Sequence, residues 1–129
     1  MVTRLGAIAL VVRAYDEAIQ FYTDKMGFRL VEDVLIESEK RWVRLRPSGP
    51  GGCDLILARA ATPHQEARIG DQTGGRVFLF LHTDDFVRDY EAMKAKGVEF
   101  TEEPRFESYG QVVVFRDLYG NLWDLIQEN

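Results

Sequence analysis

The sequence predicts an α+β domain of two βαβββ modules that form a cupped mixed sheet, and three observations carry that prediction. The same succession of strand-like and helix-like segments occurs twice within 129 residues. Each half holds one amphipathic helix that stops at a glycine, Gly27 in the first half and Gly97 in the second. Each half then returns through three strand-like runs separated by turn-forming residues. Module one covers residues 4–60, a linker 61–75 and module two 76–129, all as one domain.

Taken in order, residues 5–12 are a run of β-formers, and Asp16-Glu17 behind them suits the positive end of a helix dipole. Tyr15, Ile19, Tyr22 and Met26 recur at helical spacing and form one apolar stripe, which Gly27 ends. Residues 28–33, 41–46 and 54–58 read as strands, and Pro47-Ser48-Gly49-Pro50-Gly51-Gly52 as a loop. In the linker, Thr62-Pro63-His64-Gln65 combines a threonine cap, a proline at the first helical position and a glutamine three residues past the cap. That pattern predicts a short helix running to about Gly70, with Gly74-Gly75 as the exit. Module two repeats the plan. Residues 77–81 form a strand, Asp84-Asp85 starts a helix with the stripe Phe86, Tyr90 and Met93, and residues 98–101, 112–116 and 122–127 supply three strands, the last entered through the turn at residues 117–121.

Composition narrows the function classes. The net charge of −5 is spread along the chain rather than blocked, which argues against a nucleic-acid partner. The longest apolar runs, residues 7–12 and 77–81, fall far short of the roughly 20 residues that span a bilayer, so no membrane partner is expected. Residues 1–4 lead straight into a strand without the regions of a signal peptide, and a cytoplasmic location is the expectation. Cys53 is the one cysteine, which rules out an internal disulfide and suits a small apolar filler.

Alternation along the first strand of each module sets Ile8, Leu10 and Val12 against Ala7, Ala9 and Val11, and Val77, Leu79 and Leu81 against Arg76, Phe78, Phe80 and His82. Both faces are largely apolar. A helix covers one; a ligand cavity, a closed core or a dimer interface would cover the other.

Two stretches carry a family resemblance. Residues 16–27, with Phe21-Tyr22 and Met26-Gly27-Phe28, look like the opening of a glyoxalase-type module. Phe115-Arg116-Asp117-Leu118-Tyr119-Gly120-Asn121-Leu122-Trp123-Asp124-Leu125 is similar to the phenylalanine, x, aspartate, proline, x, glycine, asparagine, x, x, glutamate, leucine pattern of the vicinal oxygen chelate superfamily of glyoxalases, bleomycin resistance proteins and extradiol dioxygenases. With the duplication, the resemblance spans essentially the whole chain.

The resemblance implies a divalent metal held by a ligand from the first strand of each module and a carboxylate from a fourth strand. Here the first-strand positions fall on Ala7 and Arg76, and the terminal glutamate position on Asp124, while module one offers Asp54. Neither Ala7 nor Arg76 is a metal ligand, and an arginine repels a cation. His64 falls in the linker and reads as a solvated residue; His82 falls at the far end of its strand and reads as a rim residue. No cofactor is therefore expected, with a divalent metal as the alternative.

Without a metal, parity nominates Trp42, Arg44, Arg76, Phe78, Phe80 and Asp124 as the lining. Guanidinium forks beside aromatic walls suit a small organic anion with an apolar or aromatic body, anchored by Arg76. An internal Arg76–Asp124 ion pair is the competing reading. Tyr109 is either a group over the cavity mouth or a plain turn residue, and a buried Asp124 is a candidate general base. Two functions stay open: a metal-independent small-molecule binder of the bleomycin resistance type, and a glyoxalase-like lyase or isomerase, or a dioxygenase-related enzyme, with an atypical site. The resemblance also implies a homodimer.

Overall fold

A computed structural model describes residues 1–129. Two compact units, Met1–Ile69 and Gly70–Asn129, divide the chain within the expected linker. Each has its own mixed sheet and its own long helix.

In the first unit, β1 (Ala7–Val12) leads into α1 (Tyr15–Met26), followed by β2 (Arg29–Glu37), β3 (Lys40–Arg46) and β4 (Asp54–Arg59). The sheet order is β1-β4-β3-β2, with β1 parallel to β4 and the other pairs antiparallel. Gly27 ends α1 at φ 70°, its N–H donating to the Tyr22 carbonyl. The helix buries Tyr15, Ala18, Phe21 and Tyr22. Ile19 and Met26, expected on that stripe, are only half-buried, because the line of closest approach runs through the small Ala18. Leu10, Val12, Val43, Leu45 and Leu57 complete this core.

After β4, α2 (Pro63–Glu66) is one turn long rather than reaching Gly70. Its cap forms as expected: the Thr62 hydroxyl accepts from the Gln65 N–H at 3.2 Å, and the Gln65 side chain accepts from the Ala61 N–H at 2.7 Å. No residue of the turn is buried, so no packing sustains a longer helix.

The second unit runs β5 (Leu79–His82), α3 (Phe86–Ala95), β6 (Glu99–Phe100), β7 (Arg105–Glu107), β8 (Gly110–Arg116) and β9 (Leu122–Glu128). Its order is β5-β9-β8-β6, with β5 parallel to β9, so the topology of the first unit is repeated. The strands differ from expectation in several places: β2 runs on to Glu37 rather than ending at Asp33, β8 starts at Gly110 rather than Val112, and β6 is confined to Glu99–Phe100. β5 starts at Leu79 rather than Val77, although the Phe78 N–H already donates to the Leu122 carbonyl at 2.8 Å. β7 was not anticipated, being two charged residues flanking one exposed phenylalanine, without apolar alternation. The core of this unit is an aromatic chain: Tyr90 to Phe100 at 4.7 Å between ring centroids, Phe100 to Phe115 at 5.9 Å, and Phe115 to Trp123 at 5.9 Å.

The turn between β8 and β9 explains the motif at residues 115–125. Asp117 is buried; its carboxylate accepts from the Tyr119 and Asn121 backbone N–H groups at 3.0 Å each, from the Asn121 amide at 3.0 Å and from the Trp123 indole N–H at 3.1 Å. Gly120 takes φ 95°, which the turn requires. Asp117, Gly120 and Asn121 thus lock a turn. No helix of the chain is long and apolar enough to cross a membrane.

Candidate functional site

Residues paired across a ladder share a face, so register shows which side chains the helices leave uncovered. In the first unit Ala7, Ala9 and Val11 of β1 stand opposite Asp54, Ile56 and Ala58 of β4, and Arg44 opposite both Ile56 and Glu32. Trp42 stands opposite Val34. This open face is graded. Its end at the start of β3 and the finish of β4 bounds a cavity of about 740 Å³, where the apolar and aromatic Val11, Ile36, Trp42, Ile56 and Ala58 stand beside the charged Glu39, Lys40, Arg41 and Arg59. Trp42 is 37% exposed and Ile36 52%.

The other end is charged. Asp54, 6% exposed, accepts from Arg44 Nη1 at 2.6 Å and from Arg46 Nε and Nη2 at 2.9 Å each. Arg44 Nε also lies 3.1 Å from a Glu32 oxygen. Hydrogen bonds from Arg46, then Arg44, outweigh the cost of burial and hold the Asp54 carboxyl at a pKa of about 2. Arg44, expected to face a ligand, is therefore committed to two carboxylates, and its guanidinium rests 5.9 Å from the Trp42 ring centroid.

In the second unit Phe80 stands opposite Asp124, and Asp124 opposite Val114. Parity thus put Phe80 and Asp124 on one face. Phe80 is 59% exposed, whereas Asp124 Oδ1 is buried without a hydrogen-bond partner. Burial pushes the Asp124 carboxyl above the usual carboxylate range; Arg105 opposes that shift and Glu102 adds to it. Arg105, held by Glu102 at 3.0 Å and Glu107 at 2.8 Å, is the cation that acts on Asp124. Arg76 is not: it lies before β5, is exposed, and its backbone carbonyl accepts from the Thr73 hydroxyl at 2.6 Å. The alternative Arg76–Asp124 ion pair does not form. Phe78 also precedes β5 and is half-buried. Tyr109 occupies the two-residue turn between β7 and β8, 48% exposed, beside Arg105.

His64 is exposed on α2. His82, also exposed, ends β5 with Nδ1 3.7 Å from a Glu128 oxygen. No three His, Cys, Asp or Glu side chains converge anywhere in the chain. The donor set does not fit a metal of the kind expected from the motif: neither Ala7 nor Arg76 offers a ligand, and Asp54 is saturated by two arginines.

The residues missed by sequence reasoning include Ile36, Ile56, Ala58 and Gln65 on the cavity, the charged Glu39, Lys40, Arg41 and Arg59 on the same wall, and Glu102 and Arg105 beside Asp124. Ile56 and Ala58 were within reach of the parity argument applied to β4. Arg105 was not, because its strand has no apolar alternation.

The duplicated topology is matched in known proteins. The chain matches the Glyoxalase/Bleomycin resistance protein/Dioxygenase superfamily over residues 4–125. It belongs to that superfamily. Among its superfamily relatives, an uncharacterized protein of Shewanella frigidimarina (strain NCIMB 400) is 57% identical over 123 residues, covering 95% of this chain and 91% of the relative. UcmS2, a solved structure, is 30% identical with a TM-score of 0.83, covering 98% of each chain. TnmS3, an antibiotic binding protein from Streptomyces sp. CB03234, is 25% identical with a TM-score of 0.74, covering 99% of this chain and 98% of its own.

Proposed function

We propose that this superfamily member binds a small organic molecule with a flat aromatic or apolar body on the open face of its first module, without a metal. The observation that carries the reading is the exposed Trp42 on the wall of a 740 Å³ cavity whose other lining groups include Val11, Ile36, Ile56 and Ala58. A cavity of this size is in the range that small-molecule sites occupy, and an indole face left in solvent is a stacking surface. TnmS3, similar over nearly its whole length, is an antibiotic binding protein, which favours a guest of drug-like size. The anionic part of the expected guest has less support, because Arg44 is spent on Asp54, Arg76 lies outside β5, and the arginines on the cavity wall, Arg41 and Arg59, are paired with Asp16 and Asp33 and with Glu39.

A thermal-shift screen of planar aromatic compounds, aromatic antibiotics included, tests the reading on protein stripped of metal by chelator. A guest at a hundred times its dissociation constant adds about 2.7 kcal/mol to stability, which is several degrees for a chain of this size. A screen in which only metal-loaded protein responds would refute it.

One observation favours a second reading, a glyoxalase-like lyase or isomerase. The buried, unpartnered oxygen of Asp124 with its raised pKa is the state a general base needs, and Arg105 and Tyr109 are close at hand. Exchange of a substrate C–H proton with solvent, abolished in Asp124→Asn, would establish it over simple binding.

A further inference from the structure

Module one has a second cavity, of about 590 Å³, that shares no lining residue with the aromatic one and lies where β3 ends and β4 begins. Its wall brings Arg4, Arg29 and Arg46 together with Asp54 and the loop at residues 47–52. The arginines are arranged at a cost. Arg29 and Arg46 are directly opposite each other in the β2–β3 ladder, where like charges repel. Arg46 is compensated by Asp54, but Arg29 has no acidic partner. Neither has Arg4, whose guanidinium folds back over Gly6, its Nη1 3.6 Å from where a side chain would start there.

Asp54 cannot neutralise them. It is the one acid on the wall, and both of its oxygens are taken, one by Arg46 and the other by Arg44 and Arg46. Counting Arg4, Arg29, Arg44 and Arg46 against Asp54 and Glu32, the cluster has a net charge of +2 on a chain whose total is −5. The loop adds donors: the Ser48 hydroxyl and the backbone N–H groups of Gly49, Gly51 and Gly52 make no hydrogen bond within the chain. Gly51 and Gly52 sit at φ 75° and 80°, a conformation that keeps side chains out of the cavity mouth.

We propose that this cavity is a binding site for a phosphate-bearing small molecule, with Arg4 and Arg29 as its clamps and Arg46 as a third, partly engaged contact. Guanidinium forks match the oxygens of phosphate, and several of them can share one tetrahedral group. A phosphate dianion cancels the +2 charge and relieves the Arg29–Arg46 repulsion; a carboxylate would leave one charge uncompensated and offers two oxygens to three forks. The volume exceeds that of phosphate alone, so an organic body is accommodated with it. The site is independent of the aromatic cavity and stands or falls separately from it.

Calorimetric titration of the full chain with inorganic phosphate, phenyl phosphate and benzoate tests the assignment. The expected result is saturable binding of phenyl phosphate, tighter than inorganic phosphate and tighter than benzoate, with amide shifts at Gly49, Gly51 and Gly52 in NMR spectra. Arg29→Gln and Arg4→Gln should each weaken it about tenfold or more, the loss expected for one charge-assisted contact, while Arg13→Gln, an exposed arginine of the same module, should not. Absence of saturation, an equal loss in Arg13→Gln, shifts confined to other residues, or benzoate binding as tightly as phenyl phosphate would each overturn it.

Discussion

Asp54 in β4 and Asp124 in β9 both lie in the last strand of a module, yet their surroundings push their carboxyls in opposite directions. Two arginines lower Asp54 to about 2, whereas burial without a partner raises Asp124. The stability consequences have opposite signs. For Asp54, the folded value lies below the ordinary 3.8, so its contribution is complete above about pH 4 and is lost as pH falls through 3.8 towards 2. Urea unfolding at a series of acid pH values should show a shallower loss of stability across that window in Asp54→Asn than in the parent. For Asp124 the folded value is raised, so the ionised group costs stability at neutral pH and the cost disappears as pH falls through that value. Asp124→Asn should therefore match or exceed the parent's melting temperature at pH 7, and the difference should vanish on acidification; a variant destabilised at pH 7 would show that the carboxylate has a partner in solution. Neither environment was legible in the sequence. Parity placed Asp124 on an inner face, but only the fold brings Arg46 and Arg44 onto Asp54, or Arg105 and Glu102 to Asp124.

Among the elements, the β8–β9 turn is the most tightly determined. Asp117→Ala would leave two backbone N–H groups, the Asn121 amide and the Trp123 indole without their acceptor, at a cost of roughly 3 kcal/mol. Denaturant unfolding measures this directly, and Asp117→Asn should recover part of the loss. Gly110, the first residue of β8, is as constrained: it takes φ 148°, and a side chain there would run into the Gln127 carbonyl. Gly110→Ala should destabilise by about 2–3 kcal/mol. Elements with a regular apolar period, α1, α3, β3 and β9, were readable from sequence because burial imposes that period. Those without it were not: β7 is held by its ladder to β8 and by the Arg105–Glu102 pair, and α2 stopped after one turn for want of a buried face.

For the molecule as a whole, the duplication, which is a property of spacing, and the family resemblance of residues 115–125 together pointed to the fold. For the candidate site, alternation gave only the face: Trp42 and Asp124 alternate with the buried Val43, Trp123 and Leu125, and Phe80 pairs with Asp124. The arginines expected beside them do something else: Arg44 is bound to carboxylates, and Arg76 stands clear of the strand. Side-chain pairing across strands decides which charges remain available, and single-strand periodicity contains no information about it. What remains on the first module's open face is a part-exposed indole on the wall of a cavity that also carries Ile36, Ile56 and the ion-paired Arg41 and Arg59.

Tryptophan fluorescence reports on that surface with little interference, because the chain has two tryptophans and Trp123 is only 3% exposed. Titration of chelator-treated protein with the best aromatic compound from the thermal screen should quench emission saturably, and Trp42→Ala should abolish the binding while costing under about 1 kcal/mol of stability, as expected for a partly exposed residue. Binding that survives Trp42→Ala unchanged, or that appears only when a divalent metal is restored, would contradict the account.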